Sequence, residues 1–318
     1  MFDYNYTQRV YPQDIQGSVY TNEQRDSVSK KINYFKRFFL RSLNIKKYPS
    51  FPISETQTIS MTKFGFPLVN LTKDKGVSSE IRKEGYYQTE DNLRVLRTYI
   101  KPGHTVINAG AFIGDDAVFL GKLVGENGRV FAFEPNAIAF DCLRKNIILN
   151  DLENNVTVYP YGVSDIDVVA HQNFSFNNVG GAVVCEGAPS SSKAGAIELR
   201  KIDTLIKDKV DFIFMDVEGY EFKALYGMEK LLQKSDYPPI FMEWSPDLLN
   251  KAGPDMMEFI DKAHSWGYKF YKVVKYRKEK TNRHEAYKYE LLTKEDLKEG
   301  HKDVLLVQDK DFRELNNS

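Results

Sequence analysis

The sequence predicts an α/β fold in which a mostly parallel β-sheet is covered by helices on both faces. Short apolar runs rich in β-branched and aromatic residues recur from Thr105 onward, helical patterns separate them, and several runs end in glycines or carboxylates. The chain has 318 residues, of which 42% are apolar, so it is long enough to bury the core that such a sheet requires.

Seven apolar runs are interpreted as the strands of this sheet. They span residues 105–110, 129–134, 156–160, 211–216, 239–244, 268–274 and 303–309. Helices are predicted near residues 115–124, 137–149, 220–233 and 254–266.

Two segments do not follow this alternation. The highly charged stretch at 275–302 separates the last two strands and is interpreted as an insertion, partly helical. Residues 171–195 are rich in Gly, Ser and Asn, which predicts a loop. That loop is either a mobile one beside a ligand site or an ordinary surface connection.

The N-terminal segment, residues 1–84, is predicted to be a helical extension of the main domain at 85–318. Between Lys30 and Lys47, seven Lys and Arg residues and no acidic residue lie among aromatic and leucine side chains. This pattern predicts a basic amphipathic helix. We favour packing of its apolar face on the main domain, with peripheral contact to a membrane surface as the alternative.

Charge and cysteine content limit the classes of function. The 44 basic residues balance the 44 acidic ones, so no overall field favours nucleic acid, and no nucleic-acid partner is expected. Cys142 and Cys185 are too few for a disulfide framework, which favours a reducing, cytoplasmic compartment. Neither a signal peptide nor a transmembrane span is expected.

A ligand site is predicted at the first strand-to-helix turn. The run from Val106 ends in Gly110 and Gly114, whose lack of a side chain lets a ligand approach the backbone. Twenty residues later the second strand ends at Glu134, where a carboxylate can accept hydrogen bonds from the hydroxyls of an adenosine ribose. The alternative is that the glycines serve only tight packing between helix and strand.

The missing glycines distinguish between cofactors. A dinucleotide fingerprint aligned on Gly110 would require glycine at Asn108 and Ile113, and neither position has one. This favours S-adenosyl-L-methionine (SAM), which has no pyrophosphate, over NAD. A nucleotide-dependent oxidoreductase is the weaker alternative.

Three carboxylates are expected to converge at the carboxyl edge of the sheet, and they are the candidate catalytic residues. Asp216 and Glu218 follow one strand, and Glu243 ends its neighbour. Grouped acids raise one another's proton affinity, so one of them, Asp216 or Glu218, is predicted to act as general base. A divalent metal held by this group is a possibility that we do not favour. None of the five histidines is expected to be catalytic.

These motifs, taken in order, resemble the FkbM family of SAM-dependent methyltransferases. The family pattern runs from V-x-D-x-G-A-N-x-G through F-E-P and D-V-E-G to a late glutamate. Here its elements are VINAGAFIG from Val106, FEP at 133–135, GVSD at 162–165, MDVEGYE from Met215 and FMEW from Phe241. The resemblance covers about residues 85–244.

The resemblance implies a Rossmann-like class I methyltransferase with a seven-stranded sheet whose last strand is antiparallel. It implies O-methylation of a small-molecule or glycan acceptor, typically at a sugar hydroxyl. The positions that it assigns to the cofactor are Asn108, Gly110, Phe112, Gly114, Glu134, Pro135, Ser164 and Asp165, the last two beside the adenine.

Two of these positions depart from the family pattern. Asn108 stands in place of an aspartate and Phe112 in place of an asparagine. Asn108 retains hydrogen-bonding capacity but cannot pair as an anion with the amino group of the cofactor. A binding module that has kept the fold and lost catalysis is therefore the alternative to an active enzyme.

Overall fold

The structure is a computed structural model, and it describes residues 50–175, 178–185, 195–252, 255–277 and 285–315. The basic amphipathic helix predicted at 30–47 lies outside these residues. Within them, no helix is both long enough and apolar enough to cross a lipid bilayer.

The described residues form fifteen strands, numbered in chain order. They are β1 (Ser50–Pro52), β2 (Gln57–Met61), β3 (Pro67–Leu71), β4 (Thr105–Ala109), β5 (Arg129–Phe133), β6 (Val156–Tyr159), β7 (Gly162–Val163), β8 (Val168–Ser175), β9 (Asn178–Cys185), β10 (Gly195–Arg200), β11 (Phe212–Met215), β12 (Ile240–Trp244), β13 (Lys269–Arg277), β14 (Glu285–Leu291) and β15 (Lys302–Val307).

The α-helices of the same residues are numbered likewise. They are α1 (Val77–Glu84), α2 (Glu90–Tyr99), α3 (Asp115–Val124), α4 (Ala137–Leu149), α5 (Ile202–Leu205), α6 (Glu221–Tyr226), α7 (Glu229–Lys234), α8 (Pro246–Ala252) and α9 (Met256–Ser265). Short 3-10 helices occur at Asp296–Lys298 and Asp309–Asp311.

The central sheet contains all seven strands that the sequence predicts. Its order is β14-β13-β15-β12-β11-β4-β5-β6. The strands from β12 to β6 are parallel neighbours, whereas β15 is antiparallel to both β12 and β13. The predicted Rossmann-like class, with the last strand antiparallel, is confirmed.

The eighth strand corrects the interpretation of residues 275–302 as a partly helical insertion. Strand β13 continues to Arg277, and β14 pairs with it in antiparallel register, with Val273 opposite Tyr289. The segment EAYKYEL alternates charged and aromatic residues, which is a strand pattern with one face in contact with the protein. Tyr287 is buried and lies under the guanidinium of Arg94.

Each face of the sheet is covered by helices because successive strand residues point to opposite sides. Val106 packs in the core formed with α2, α3 and α4, whereas its neighbour Ile107 packs in the core formed with α6, α7 and α9. The helix predicted at 220–233 is two helices, α6 and α7, interrupted at Gly227. A β-carbon at Gly227 would lie 1.8 Å from the carbonyl oxygen of Ser164. The backbone of the Ser164 segment therefore passes so close to this break that only glycine fits at position 227.

Residues 50–84 were predicted to belong to a helical extension, but they contain three strands followed by a single helix. Strands β1, β2 and β3 form an antiparallel sheet whose apolar residues share one core with the central domain. Asn146 of α4 joins the two parts: its Oδ1 accepts from Val69 N at 2.6 Å, and its Nδ2 donates to Val69 O and to Ile113 O at 2.8 and 2.7 Å.

The described part of the glycine-rich stretch 171–195 is a strand hairpin rather than a loop. Strands β8 and β9 pair antiparallel and belong to a second sheet with the order β7-β10-β8-β9. Residues 186–194 lie outside the described part. The hairpin crosses the carboxyl side of the central sheet, where it reaches the cavity described next.

Candidate active site

A cavity of about 270 Å³ opens at the carboxyl ends of β4, β5, β11 and β12. Seven predicted site residues line it together: Gly110, Phe112, Glu134, Pro135, Asp216, Glu218 and Glu243. Asn108, Gly114, Ser164 and Asp165 do not line it. The turn predicted to bind a cofactor and the acids predicted to be catalytic therefore belong to one site.

The two glycines of the first turn serve packing within the protein. Gly110 has φ +79°, and a β-carbon there would lie 1.7 Å from the carbonyl oxygen of Asp216. Gly114 has φ +88°, and its β-carbon would lie 2.5 Å from Leu143 of α4. Gly110 is thus required by close approach of the Asp216 backbone, whereas at Gly114 the closest contact is the side chain of Leu143. Gly110 also forms part of the cavity wall.

Phe112 occupies a backbone conformation that asparagine adopts more readily. Its φ is +45°, in the left-handed region where asparagine is enriched and bulky residues are rare. Its N–H donates a 2.9 Å hydrogen bond to Oε2 of Glu134, which fixes the turn. A β-carbon built on Gly180 of β9 would lie 3.7 Å from the Phe112 ring, so the ring fills the space between the turn and the hairpin.

Glu134 is buried, with 6% of its surface exposed, and both of its oxygens accept backbone hydrogen bonds. Oε2 accepts from Phe112, and Oε1 accepts from the N–H of Asn136 at 2.7 Å. Burial raises the pKa of Glu134 to about 7, although the two N–H donors act in the opposite direction. Each oxygen retains a second acceptor site for a ligand hydroxyl.

Asn108 lies below the cavity on β4 and is fully buried. Neither its Oδ1 nor its Nδ2 has a hydrogen-bond partner among the residues that the structure describes. Buried amides are nearly always paired with protein, water or ligand. The amide of Asn108 therefore lies under the first turn without a hydrogen-bond partner from the described residues.

Asp216 and Glu218 lie in the turn between β11 and α6. Burial raises the pKa of Asp216 well above its usual range, and the neighbouring Glu243 raises it further. Glu218 has φ +52°, and burial raises its pKa as well. The turn is held by Glu221, whose Oε1 accepts from Val217 N at 3.1 Å and from Gly219 N at 3.3 Å.

Glu243 extends the acidic wall from the neighbouring strand. Burial and the charge of Glu218 raise its pKa to about 8. Its Oε1 lies 3.3 Å from Nε2 of the exposed His301, a residue for which the sequence predicted no site role. Its Oε2 is buried and has no hydrogen-bond partner within the described residues.

Ser164 and Asp165, the two positions predicted to lie beside the adenine, do not line the cavity. Ser164 is fully buried and its hydroxyl donates to Oδ1 of Asp165 at 3.1 Å, so this pair stabilises its own segment. The preceding residues Gly162 and Val163 do line the cavity, together with Tyr161.

Two parts of the cavity wall were not among the predicted site residues, although the stretch 171–195 was expected to be either beside a ligand site or an ordinary surface connection. Tyr87, from the segment before α2, lines the cavity with 44% of its surface exposed. Burial and the charges of Asp216 and Glu243 raise its pKa to about 12. Residues 178–181 of β9 form the other part. A glycine pair in a polar stretch was the only signal for the hairpin, and Tyr87 had none.

No group of three His, Cys, Asp or Glu side chains in the described ranges is arranged to hold a metal ion. The three candidate carboxylates thus share a cavity without forming a recognisable cation site.

Comparison with known proteins gives one family match. The model of the methyltransferase FkbM domain matches residues 108–270, which is half of the chain. No curated protein sequence matches the chain.

Solved structures with similar folds include three named methylating enzymes. An FkbM methyltransferase from Methylobacillus flagellatus KT is 20% identical over 64% of this chain and 43% of its own, with a TM-score of 0.39. A SAM-dependent O-methyltransferase from Thermotoga maritima is 11% identical over 80% and 92%, with a TM-score of 0.39. An rRNA methylase from Streptococcus thermophilus is 12% identical over 67% and 91%, with a TM-score of 0.36.

Proposed function

Because the chain belongs to the FkbM family of methyltransferases, we propose that it transfers a methyl group from SAM to a hydroxyl group of a sugar or glycan. The observation that carries this proposal is the shared cavity. Glu134, to which we assign the ribose, and Asp216, to which we assign the proton, line the same space. Binding of cofactor and acceptor side by side is what direct methyl transfer requires.

The residues around the first turn fit a bound SAM. Glu134 has free acceptor sites for the two ribose hydroxyls, and the backbone of Gly110 lies at the cavity wall. Asn108, which lies below the cavity and does not line it, has a buried donor and a buried acceptor that the described protein leaves unpaired. When bound, SAM supplies an electrophilic methyl group on a sulfonium.

Asp216 is the residue that we assign as proton acceptor, with Glu218 as the alternative. Its raised pKa makes its carboxylate a stronger base than an exposed aspartate, which suits removal of a hydroxyl proton during transfer. The hydrogen bonds from Val217 and Gly219 to Glu221 hold the turn that carries Asp216, so the position of the base is fixed before the acceptor enters.

The departures at Asn108 and Phe112 favour one competing function, a binding module without catalysis. Calorimetric titration with S-adenosylhomocysteine (SAH), with NAD as the parallel control, separates the two. Micromolar binding of SAH alone is the result that we expect. A folded protein that binds neither ligand contradicts the proposal and favours the binding module, and binding of NAD alone favours an oxidoreductase.

A further inference from the structure

The cavity wall is acidic. Four carboxyl groups line it, those of Glu134, Asp216, Glu218 and Glu243. No Lys, Arg or His side chain is among the described residues that line it. Burial raises the pKa values of these carboxyl groups, and a nearby cation favours their ionised form. A bound SAM carries a single net positive charge, so it would pair with only part of this acidic group. The rest of the cavity therefore favours a second positive charge.

Unused hydrogen-bonding capacity points to the same kind of ligand. Oε2 of Glu243 is buried and unpaired within the described part of the chain, although the residue lines the cavity. A buried carboxylate oxygen without a donor costs free energy that a ligand N–H or O–H can recover. An ammonium group offers three donors and a charge opposite to that of the wall.

Aromatic rings complete the wall. Tyr87 lines the cavity at its more exposed side, close enough to Asp216 and Glu243 for their charges to act on its hydroxyl. Tyr161 and Tyr220 line the cavity as well. Aromatic faces combined with carboxylates are the surroundings in which proteins bind organic cations. A phosphate would meet the same carboxylates without a countercharge and would be repelled.

We propose that the acceptor is a hydroxyl compound that carries a protonated amine, such as an amino sugar, and that Glu243 and Tyr87 bind this amine. The inference rests on the proposed methyltransferase function, since it describes the acceptor side of that cavity. The proposal favours acceptors that carry an amine. It disfavours nucleotide sugars, sugar phosphates and nucleic acids, because their phosphate groups are negatively charged.

The test uses three probes of similar size and different charge: glucosamine, N-acetylglucosamine and glucose 6-phosphate. Each is titrated into the full-length protein, with and without saturating SAH, at one pH and ionic strength. We expect glucosamine to bind at least about tenfold more tightly than N-acetylglucosamine, the scale of a desolvated cation–π contact. We expect glucose 6-phosphate to bind more weakly than either.

Two variants test whether Glu243 is responsible for the preference for glucosamine. Glu243→Gln keeps the shape of the side chain and removes its charge, so it is expected to reduce the preference for glucosamine over N-acetylglucosamine and to leave only the part due to Tyr87. Glu290→Gln removes a carboxylate from β14, outside the cavity, and serves as the matched control. It should leave all three affinities unchanged.

Several results would overturn the inference. These are equal affinity for glucosamine and N-acetylglucosamine, no measurable glucosamine binding, tighter binding of glucose 6-phosphate, or an unchanged preference in Glu243→Gln. The titration with SAH alone reports separately on the proposed function. Absent SAH binding with retained glucosamine preference would contradict methyl transfer and leave the amine site standing.

Discussion

The backbone N–H of Phe112 and the carboxylate of Glu134 are joined by a 2.9 Å hydrogen bond across 22 residues of sequence. This bond links the turn after β4 to the end of β5, so the residue proposed to hold the ribose also fixes the turn proposed to bind the cofactor. Ligand binding and local stability are therefore coupled at Glu134.

Glu134→Ala is expected to weaken SAH binding by about 1.5–3 kcal/mol, the scale of hydrogen bonds to a charged group. It should also lower the free energy of unfolding by about 1–3 kcal/mol, because the N–H groups of Phe112 and Asn136 lose their acceptors. Calorimetry and denaturant unfolding measure the two effects. Unchanged SAH affinity in the folded variant would remove Glu134 from the cofactor site.

Asp216→Asn is expected to lower turnover by about 10²–10⁴-fold, the usual contribution of a general base. The SAH affinity should remain close to that of the parent, because the amide keeps the volume of the carboxylate. Asp208→Asn is the control, since Asp208 is exposed and pairs with Arg129 outside the cavity. Full methyl transfer by the Asp216 variant would shift the role of base to Glu218.

The protein without ligand is expected to lose thermal stability as pH rises from about 5 to 8.5. Burial raises the pKa values of Glu134 and Glu221 to about 7 and that of Glu243 to about 8. A raised carboxyl pKa stabilises the fold fully below the unfolded pKa of about 4.5 and loses this contribution as pH passes the folded value. A tenfold difference in proton affinity between the folded and unfolded protein corresponds to about 1.4 kcal/mol of stability.

Unfolding midpoints across that pH range test the expectation, with Glu243→Gln as the variant. Its midpoint should fall less steeply between pH 6.5 and 8.5, because one titrating group is gone. His104, whose pKa is lowered by burial, acts in the opposite direction below its ordinary pKa of about 6.5 and leaves the upper part of the range unaffected. A midpoint that rises steadily from pH 6.5 to 8.5 would show that these carboxyl groups are not buried in solution.

Gly110→Ala is expected to destabilise the fold by about 3 kcal/mol or more. The added β-carbon would overlap the Asp216 carbonyl, and the left-handed backbone adds its own cost. Gly103→Ala has a similar φ of +88° with open space around the β-carbon, so it should cost only about 1–2 kcal/mol. Equal losses of unfolding free energy in the two variants would mean that the contact at Gly110 is looser than described.

The sequence predicted the central sheet well because its strands are short, buried and bounded by clear turns. Helix α4 illustrates this: it begins after Asn136, whose side chain caps it by accepting from Ile138 N and Ala139 N, and its bounds match the prediction. The same reasoning failed for β14, because alternation of charged and aromatic residues was interpreted as a charged insertion. The high density of charged residues made the two-residue alternation of a strand hard to recognise in this segment.

The motifs predicted which of their residues lie together, but they did not predict the residues that reach the cavity from elsewhere. Glu134 and Asp216 end predicted strands, so their convergence follows from the topology of a parallel sheet. Tyr87 and the hairpin around Gly180 reach the cavity through packing of segments that carry no motif. For Gly110, the sequence analysis predicted a position on the ligand side of the turn but not the close contact with the Asp216 carbonyl. That contact arises because β4 and β11 are neighbours in the sheet.

The three hydrogen bonds of Asn146 determine where the protein can be shortened. A fragment that begins at residue 85, or at the start of the family match at residue 108, would lack Val69 and leave two of those bonds unmade inside the core. It would also uncover the face of α4 that β3 covers, beside the third bond to Ile113. Trimming to the recognisable domain would therefore remove part of the support of the turn after β4, so expression fragments should begin upstream of β1.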